Sequence, residues 1–424
     1  MADSAQAKQA SILNAVFRGY DGPPFSVRLW DGWQWSSPAT GTAVCTVVVN
    51  NPRALTSLIA RPNEITLGEA FIRGDLDVEG DLLSVFQISE HLFNRPHGVW
   101  QRFVERCAGT FFEAAQWLRH GSENSRGRDR ASIAYHYDLP VAFYEPWLGK
   151  SLVYSCAYFG CPEDSLDAAQ EQKLDLICRK LRLKAGERFL DIGCGWGSLV
   201  LHAAGKRHAR AEGITLSQEQ AATGKRRIDE AGMGDCCSVE LRDYRELSNA
   251  KRDFDKIASV GMVEHVGLKN LPLYFGIAYR LLRPGGLFLN HGIARAGTSR
   301  IPSSSFISRY VFPDAKLVTL SETLRAAESR GFEVRDVENL REHYELTLRR
   351  WVAGLRQNAD RLLQHVSNTT YRIWLLYTAG SAAAFRRGDI GVYQVLLSRP
   401  DKGNSGLPLT RNDWYAGIRP NGRR

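Results

Sequence analysis

The stretch that decides the fold is Arg188-Phe189-Leu190-Asp191-Ile192-Gly193-Cys194-Gly195-Trp196-Gly197-Ser198. Its start, Arg188 to Asp191, is predicted to be a strand, three glycines follow at alternate positions, and residues 198–204 are typical of a helix. In open α/β sheets, ligands bind at such turns, where strands end at their carboxyl side. We therefore predict a ligand site at this turn.

Strand-like runs alternate with helical patterns on the carboxyl side of this turn. In order, they are SLVLHAAGK, ARAEGITL, SQEQAATGKRRIDEAG, DKIASVGM, YFGIAYRLL and GLFLNHGI. This alternation predicts an α/β fold, with a parallel sheet and helices on both faces. Near the end, the strand-like FEVRDVENL and IGVYQVLLSRP are separated by a long helical stretch, residues 341–387, which we expect to cap the active edge of the sheet.

The spacing of the glycines indicates the class of ligand. Gly193, Gly195 and Gly197 form G-x-G-x-G, whereas pyrophosphate-binding loops have G-x-G-x-x-G and an acidic residue after the second strand. A methyltransferase cofactor has no phosphate, and its ribose and amino-acid tail need close approach of the backbone. The spacing favours such a cofactor, and a turn that serves only strand-to-helix packing is the alternative.

Polar groups are predicted at the ends of the next two strands. The hydroxyl groups of Thr215 and Ser217 can hydrogen-bond a ribose or a carboxylate, although Ser217 is equally suited to capping the following helix, and both roles can coexist. Asp243 and Tyr244 fall where the third strand should end, and a carboxylate beside an aromatic ring suits the amine and the π face of an adenine.

Two domains are expected from a chain of 424 residues with 44% apolar content. Residues 1–118 mix β-like runs such as Cys45–Val49 with helical stretches at 82–93 and 100–118, which predicts a small α/β or α+β accessory domain that binds lipid. The polar segment RHGSENSRGRDR, residues 119–130, is typical of a linker, and residues 131–424 form the predicted catalytic domain.

Composition restricts the partners and the compartment. A net charge of +9 would attract either nucleic acid or an anionic bilayer. The eight cysteines lack metal-ligand spacing, so no metal site is predicted and a reducing cytoplasm is the simplest compartment. The sequence has no secretion signal and no apolar stretch of about 18 residues, so any membrane contact is expected to be peripheral.

Beyond the glycine turn, the sequence resembles the cyclopropane-fatty-acyl-phospholipid synthases and mycolic acid cyclopropane synthases, from about Ala131 to Pro400 and more weakly before that. The segments that carry the resemblance are His136-Tyr137-Asp138, Tyr154-Ser155-Cys156-Ala157-Tyr158-Phe159, Leu190–Gly197, Gly261-Met262-Val263-Glu264-His265-Val266-Gly267, Leu289-Asn290-His291, Tyr310-Val311-Phe312-Pro313 and Ala384-Phe385-Arg386. The resemblance implies a class I methyltransferase fold, Rossmann-like and seven-stranded, with helical cap insertions.

The resemblance also implies a site. S-adenosyl-L-methionine is the expected cofactor, and its expected contacts, together with those expected from the residues alone, are Tyr154, Ser155, Asp191, Gly193, Gly195, Gly197, Thr215, Ser217, Gln220, Asp243 and Tyr244. The residues that resemble the set holding a catalytic bicarbonate ion are Cys156, Glu264, His291, Ile293 (through its backbone amide) and Tyr344. Taken singly, Glu264 suits a helix cap, His291 a core histidine and Cys156 a buried filler. We expect His265 and His343 to be structural.

The expected reaction adds a methyl group to the double bond of an unsaturated acyl chain in a membrane phospholipid, and a bicarbonate ion then removes a proton to close a cyclopropane ring. An alkene is a poor nucleophile, so the site must be dry and must position the reactants. Aromatic faces could stabilise the resulting carbocation. The candidates for this role are Tyr154, Tyr158, Phe159 and Phe312.

Two positions depart from the family pattern. Leu139-Pro140-Val141-Ala142 stands where relatives have Leu-Gly-Asn and an acidic residue, which changes the expected acyl entrance. Ser381 stands where well-known relatives have a cysteine, so a thiol does not act there.

Other functions remain open at this stage. One is methyl branching of the acyl chain without ring closure. Another is methylation of nucleic acid, although the sequence lacks the usual motifs of nucleic-acid methyltransferases. A third is a non-catalytic lipid carrier. We expect a homodimer at the inner face of the membrane that does not bind nucleic acid. Basic and aromatic residues of the N-terminal domain suit an interface with anionic head groups or, alternatively, a tryptophan-rich core. They are Trp30, Trp33, Trp35, Arg95, Trp100, Arg102 and Arg106.

Overall fold

The structure is a computed structural model. It describes residues 2–52, 54–55, 63–93, 139–249, 254–297, 306–311 and 317–415. The chain divides into two compact units. Unit 1 comprises residues 1–119, 301–311 and 367–383, and unit 2 comprises residues 120–300, 312–366 and 384–424. The predicted linker at 119–130 and the predicted helix at 100–118 lie outside the described residues.

The helices in chain order are α1 (Ala2–Val16), α2 (Glu64–Arg73), α3 (Ser84–Phe93), α4 (Val141–Leu148), α5 (Leu166–Lys180), α6 (Ser198–Arg207), α7 (Gln218–Glu230), α8 (Leu271–Leu281), α9 (Phe306–Tyr310), α10 (Leu320–Glu328), α11 (Arg341–Gln357), α12 (Ala359–Leu362) and α13 (Asn368–Arg387). The strands are β1 (Phe25–Arg28), β2 (Gln34–Ser36), β3 (Cys45–Val49), β4 (Leu76–Gly80), β5 (Arg188–Ile192), β6 (Arg210–Thr215), β7 (Cys237–Leu241), β8 (Phe254–Val260), β9 (Leu282–Arg295), β10 (Glu333–Asn339) and β11 (Ile390–Ser398). Short 3-10 helices span Tyr244–Asn249, Val263–His265 and Leu268–Asn270.

Unit 1 contains a four-stranded sheet in the order β2-β1-β3-β4, in which only β1 and β3 are parallel. The predicted strand Cys45–Val49 is β3, and the predicted helix at 82–93 is α3. Trp35 is buried and its indole N–H donates to Asn14, so this tryptophan belongs to the core. Trp30 is 38% exposed, as a residue at an interface would be.

Two later segments of the chain, 301–311 and 367–383, group with unit 1, although the sequence analysis placed them in the second domain. Arg372 on α13 shows why. Its guanidinium donates to the carbonyl oxygens of Phe71 (2.6 Å) and Leu76 (2.8 Å) and lies 4.2 Å from the centre of the Phe71 ring. These contacts tie α13 to the backbone of the N-terminal segments of unit 1.

Unit 2 contains the predicted α/β sheet, with seven strands in the order β10-β11-β9-β8-β5-β6-β7. All its strands are parallel except β11, which runs against both neighbours. After β5, the next two strands in the chain, β6 and β7, are added on one side of β5, and the following strands, β8 and β9, are added on its other side. The strand order therefore reverses at β5, and ligands bind at such switch points in open α/β sheets.

The long helical stretch predicted between 341 and 387 is three helices, α11, α12 and α13. Asn358 marks the first break. Its side-chain amide donates to the carbonyl oxygens of Gly354 (2.9 Å) and Pro146 (3.1 Å), so it ties the end of α11 to α4. The helical sequence pattern does not reveal this break, because it depends on a contact with Pro146, which is distant in the chain.

The turn after β5 needs glycine for conformation and for space. Gly193, Gly195 and Gly197 have φ angles of 82°, 56° and 78°. A Cβ atom on Gly193 would lie 3.0 Å from Met262 Cγ, and one on Gly197 would lie 3.1 Å from Val239 Cγ2. The amides of Gly193 and Cys194 both donate to Ile214 O at 2.9 Å, which holds the turn against the end of β6.

Replacing Gly197 by alanine is expected to lower the free energy of unfolding by about 2–3 kcal/mol, because strain at positive φ adds to crowding. Gly186→Ala is the matched control, since Gly186 has a φ of 77° and nothing within 4 Å of its Cβ position. We expect it to cost only about 1 kcal/mol. Urea unfolding of both variants measures the difference, and equal losses would contradict the role given to crowding.

Candidate active site

A cavity of about 150 Å³ opens at the carboxyl ends of β5, β6 and β8. Eight of the eleven residues predicted to contact the cofactor line it: Tyr154, Ser155, Asp191, Gly193, Gly195, Thr215, Gln220 and Tyr244. The side chains of Thr215 and Gln220 hydrogen-bond each other at 2.7 Å. Eight of the 25 residues that line the cavity were thus predicted as cofactor contacts.

The other three residues predicted to contact the cofactor do not line the cavity. Ser217 caps α7, accepting from the amide of Gln220 at 3.3 Å, which is the alternative role considered for it. Gly197 begins α6 and packs near Val239. Asp243 binds the guanidinium of Arg245 through both oxygens, at 2.7–3.0 Å. In this arrangement Arg245, rather than Asp243, lines the cavity.

The segment Tyr154–Phe159 forms another part of the site and is held from two sides. From α5, Gln170 Nε2 donates to Ser155 O at 3.0 Å, and Lys173 Nζ donates to Ser155 Oγ at 3.0 Å. From α11, Thr347 Oγ1 accepts from the amide of Ala157.

Aromatic contacts fix the same segment. His343 Nδ1 accepts from the amide of Phe159 at 3.0 Å, and its ring stacks on Tyr158 at 4.6 Å between centres. His343 is thus structural, as expected. The ring of Tyr154 lines the cavity and stacks on Trp351 at 5.1 Å. Phe159 is buried, and Phe312 lies outside the described residues.

Glu264 connects the end of β8 to β9. Its Oε1 accepts from the amide of Ile293 at 2.7 Å, and its Oε2 is buried without a hydrogen-bond partner among the residues that the structure describes. Burial raises the pKa of Glu264 to about 7, although the Ile293 hydrogen bond opposes the shift. The amide of Ile293, which was predicted to contact a bound anion, instead holds this carboxyl group.

His291 lies two residues before Ile293 on β9, opposite Gln394 of β11. Its Nδ1 is 3.2 Å from Gln394 Nε2. With the Gln394 amide oriented so that its NH2 group donates to Nδ1, the proton of the neutral ring lies on Nε2. Nε2 is buried, and no described residue accepts from it. Burial lowers the pKa of His291 well below its usual range, and the nearby Lys173 and Lys180 lower it further, so the ring is neutral at pH 7.

Cys156 and Tyr344 are both connected to the start of α11. Cys156 Sγ lies 3.7 Å from Leu340 O, and the amide of Leu340 donates to Val392 O, at the position of β11 that faces Ile293. Tyr344 follows one turn later, 4.6 Å from the Phe385 ring. Burial raises the pKa of the Cys156 thiol far above its usual value, so it is not a thiolate nucleophile.

Comparison with known proteins identifies the chain. A family model described as mycolic acid cyclopropane synthetase matches residues 124–395. The chain belongs to this family. A model described as a domain of unknown function matches residues 12–94. The resemblance stated from the sequence is therefore confirmed, and the protein is an S-adenosylmethionine-dependent methyltransferase of lipid metabolism.

Similar proteins cover both parts of this methyltransferase. A probable fatty acid methyltransferase from Pseudomonas putida is 38% identical over 92% of the chain and 96% of its own length. The cyclopropane-fatty-acyl-phospholipid synthase of Escherichia coli is 36% identical over 65% of the chain and 70% of its own length. The solved mycolic acid cyclopropane synthase CmaA1, complexed with SAH and CTAB, is 31% identical, covers 63% of the chain and 97% of its own, and has a TM-score of 0.60. This likeness confirms the predicted class I methyltransferase fold.

Sequence reasoning missed Gln170, Lys173, Gln394 and the position of His265, which lines the cavity. Burial lowers the pKa of His265 to about 4, so it is neutral there. One signal was available for two of them. Gln170 and Lys173 occupy the same face of α5 as the buried Ala169, Leu174 and Ile177, and polar residues on an apolar helix face indicate a tertiary or ligand contact.

Gln394→Leu is expected to lower turnover about 10-fold, equivalent to about 1.4 kcal/mol, because His291 loses the donor that fixes its tautomer and orientation. Steady-state release of S-adenosylhomocysteine measures the loss. Gln364→Leu, at an exposed position, is the control. Unchanged turnover in Gln394→Leu would contradict the role assigned to this contact.

Glu264 also predicts a pH dependence of stability. Its folded pKa of about 7 lies above the ordinary value of 4.5, so its contribution to stability is complete below about pH 4.5 and is lost as the pH rises through 7. Between pH 5 and pH 8, wild type should therefore lose about 2 kcal/mol more than Glu264→Gln. Urea unfolding at both pH values measures this difference, and parallel pH profiles would contradict the shifted pKa.

Proposed function

We propose that this methyltransferase transfers the methyl group of S-adenosylmethionine to the cis double bond of an unsaturated acyl chain in a membrane phospholipid, and that loss of a proton closes a cyclopropane ring. One observation carries the proposal. Glu264 Oε2 and His291 Nε2 are both buried without a partner among the described residues; Glu264 follows the end of β8, and His291 lies on β9 opposite the last residue of β8. Buried polar atoms without partners are rare unless a ligand meets them.

The cavity supports the methyl-transfer half of the reaction. S-adenosylmethionine supplies an electrophilic methyl group when bound. The glycine turn allows the backbone to approach it, and Trp196, Leu199 and Met262 line the same cavity and exclude water. A dry site matters because an alkene competes poorly with water for an electrophilic carbon.

The polar set at Glu264 and His291 supports the deprotonation half. With its proton on Nε2, the neutral ring of His291 can donate to an oxyanion, whereas Glu264 Oε2 can accept from an O–H group. A small oxyanion that carries one O–H group, such as bicarbonate, fits both atoms. Held by His291, Glu264 and the hydroxyl of Tyr344, it would supply a base.

The surroundings also suit a carbocation formed on the acyl chain. Tyr154 presents an aromatic ring to the cavity, and ring faces stabilise cations without forming a covalent bond. The Cys156 thiol does not trap the cation as a thiolate, because burial keeps it protonated. Ring closure then requires a base that removes a proton from the new methyl group, while the electron pair of that C–H bond forms the bond to the cationic carbon.

Methyl branching is the second candidate, because the Pseudomonas putida relative is named a probable fatty acid methyltransferase and matches nearly the whole chain. A branched chain begins with the same methyl transfer, after which the cation either loses a proton to leave a double bond or accepts a hydride from a separate reductant. The buried Glu264–His291 pair favours a reaction that includes removal of a proton.

The acceptor also determines where the enzyme acts. We propose that it meets phospholipid as a peripheral homodimer at the cytoplasmic face of an anionic membrane, which its net charge of +9 favours. No helix within the described ranges is long and apolar enough to span a bilayer.

The test is incubation of the purified protein with S-adenosylmethionine and vesicles of a cis-monounsaturated anionic phospholipid. We expect acyl chains one CH2 heavier whose proton NMR spectrum contains the upfield methylene signals of a cyclopropane. A product with a methyl doublet or an exocyclic methylene would instead establish branching. Vesicles that lack double bonds are the control for the acceptor.

Glu264→Gln should lower product formation at least about 100-fold, since it removes the carboxylate but keeps an oxygen for the Ile293 amide. Affinity for S-adenosylhomocysteine should stay within about twofold, because Glu264 does not line the cavity. Glu328→Gln, at an exposed position, is the matched control. Full activity of Glu264→Gln would refute the assigned role.

A further inference from the structure

A partly buried arginine outside the cavity joins three segments that meet at the cofactor site. Arg227 lies on α7, and its Nη1 donates to the backbone oxygen of Trp196 at 2.7 Å and to Ser198 Oγ at 2.9 Å. Its Nη2 donates to the backbone oxygen of Ser151 at 3.3 Å. One guanidinium group thus contacts the glycine turn, the first residue of α6 and the loop that follows α4.

The acceptors of this guanidinium group are neutral oxygen atoms. Burial lowers the pKa of Arg227, and the nearby Glu230 offsets only part of this shift. Burying a charged group is costly unless its interactions compensate for the lost water. A neutral side chain would avoid this cost, but it could not offer a rigid, planar set of five N–H donors that holds several acceptors at fixed distances.

Close packing of α7 against the glycine turn brings Arg227 within reach of these acceptors. Gly224 stands inside α7, where glycine is a weak helix former. A Cβ atom on Gly224 would lie 3.2 Å from Val239 Cγ1, and one on Gly197 would lie 3.8 Å from Gly224 Cα. Gly224 therefore lets α7 approach the turn that ends at Gly197, and Arg227 follows about one helical turn later.

The contact with Ser151 matters because its loop leads directly into the cavity wall. Residues 152–155 line the cavity, and Ser151 immediately precedes them. Ser198 Oγ also donates to Ser151 O, so Arg227, Ser198 and Ser151 form a closed set of hydrogen bonds. This set ties Trp196 on one side of the cavity to residues 152–155 on another.

We infer that Arg227 is a positioning residue for cofactor binding. It does not line the cavity, so it acts through the backbone: its guanidinium group sets the spacing between the glycine turn and the segment that carries Tyr154 and Ser155. A displacement of about 1 Å in such a wall can cost about two orders of magnitude in function. Without this bridge the two walls would separate, and each would contact the cofactor less well.

The test measures the affinity for S-adenosylhomocysteine by calorimetry in folded variants. In Arg227→Met we expect the affinity to fall about 30-fold, because the charge-assisted hydrogen bonds that hold the two walls together are lost. Arg227→Lys keeps the charge but replaces the planar fork by a single nitrogen, so most of the loss should remain. Neither variant requires an acyl acceptor for this measurement, so the test is independent of the proposed product.

Arg399→Met is the matched control, because Arg399 also donates to backbone oxygens, those of Tyr279 and Leu282, and does not line the cavity. Both methionine variants should lower the urea midpoint of unfolding, but Arg399→Met should keep its affinity within about twofold of wild type. Unchanged affinity in Arg227→Met would overturn the inference, since the arginine would then serve stability alone. So would wild-type affinity in Arg227→Lys, which decides the question if Arg227→Met does not fold.

Hydrogen exchange of the ligand-free protein gives a second readout. In Arg227→Met, the amides of residues 151–155 and 194–198 should exchange at least about 10-fold faster than in wild type, because the two walls are no longer held together. In Arg399→Met the same amides should exchange at the wild-type rate. Equal exchange of these amides in the two variants would contradict a positioning role for Arg227.

Discussion

The hydrogen bond from the amide of Ile293 to Glu264 Oε1 is the contact on which the proposed catalytic group depends. It fixes the buried carboxyl group of Glu264, which follows the end of β8, against the backbone of β9. Because one oxygen is held, the other has a defined position and lacks a partner among the described residues. A carboxyl group placed in this way costs stability in the free protein, as its raised pKa indicates. Such a cost is typical of sites that are completed by a ligand.

The cofactor half depends on a different constraint, the close approach of the backbone at the turn after β5. Glycines at positive φ allow β5 to turn into α6 beside Met262 and Val239. The segment Tyr154–Phe159 then closes the cavity because α5 and α11 hold it by hydrogen bonds. Its conformation is therefore set by these tertiary contacts.

The sequence predicted those parts of the site that local patterns encode. The β5 strand, the glycine turn and α6 form one continuous stretch, so periodicity and spacing were sufficient, and the seven-stranded fold followed from the resemblance. Gln394 and Lys173 were not predicted, since their partners, His291 and Ser155, lie 103 and 18 residues away in the chain. The break after α11 and the grouping of residues 367–383 with unit 1 depend likewise on contacts between distant segments, made by Asn358 and Arg372.

The central claim is that the buried pair Glu264 and His291 serves removal of a proton from the newly transferred methyl group. It is tested most directly with S-adenosylmethionine whose methyl group carries three deuterons, using mass spectrometry of the acyl product. Ring closure predicts that the product retains two of the three deuterons. A product that retains all three would contradict the claim, because the methyl group would then have kept every hydrogen it brought.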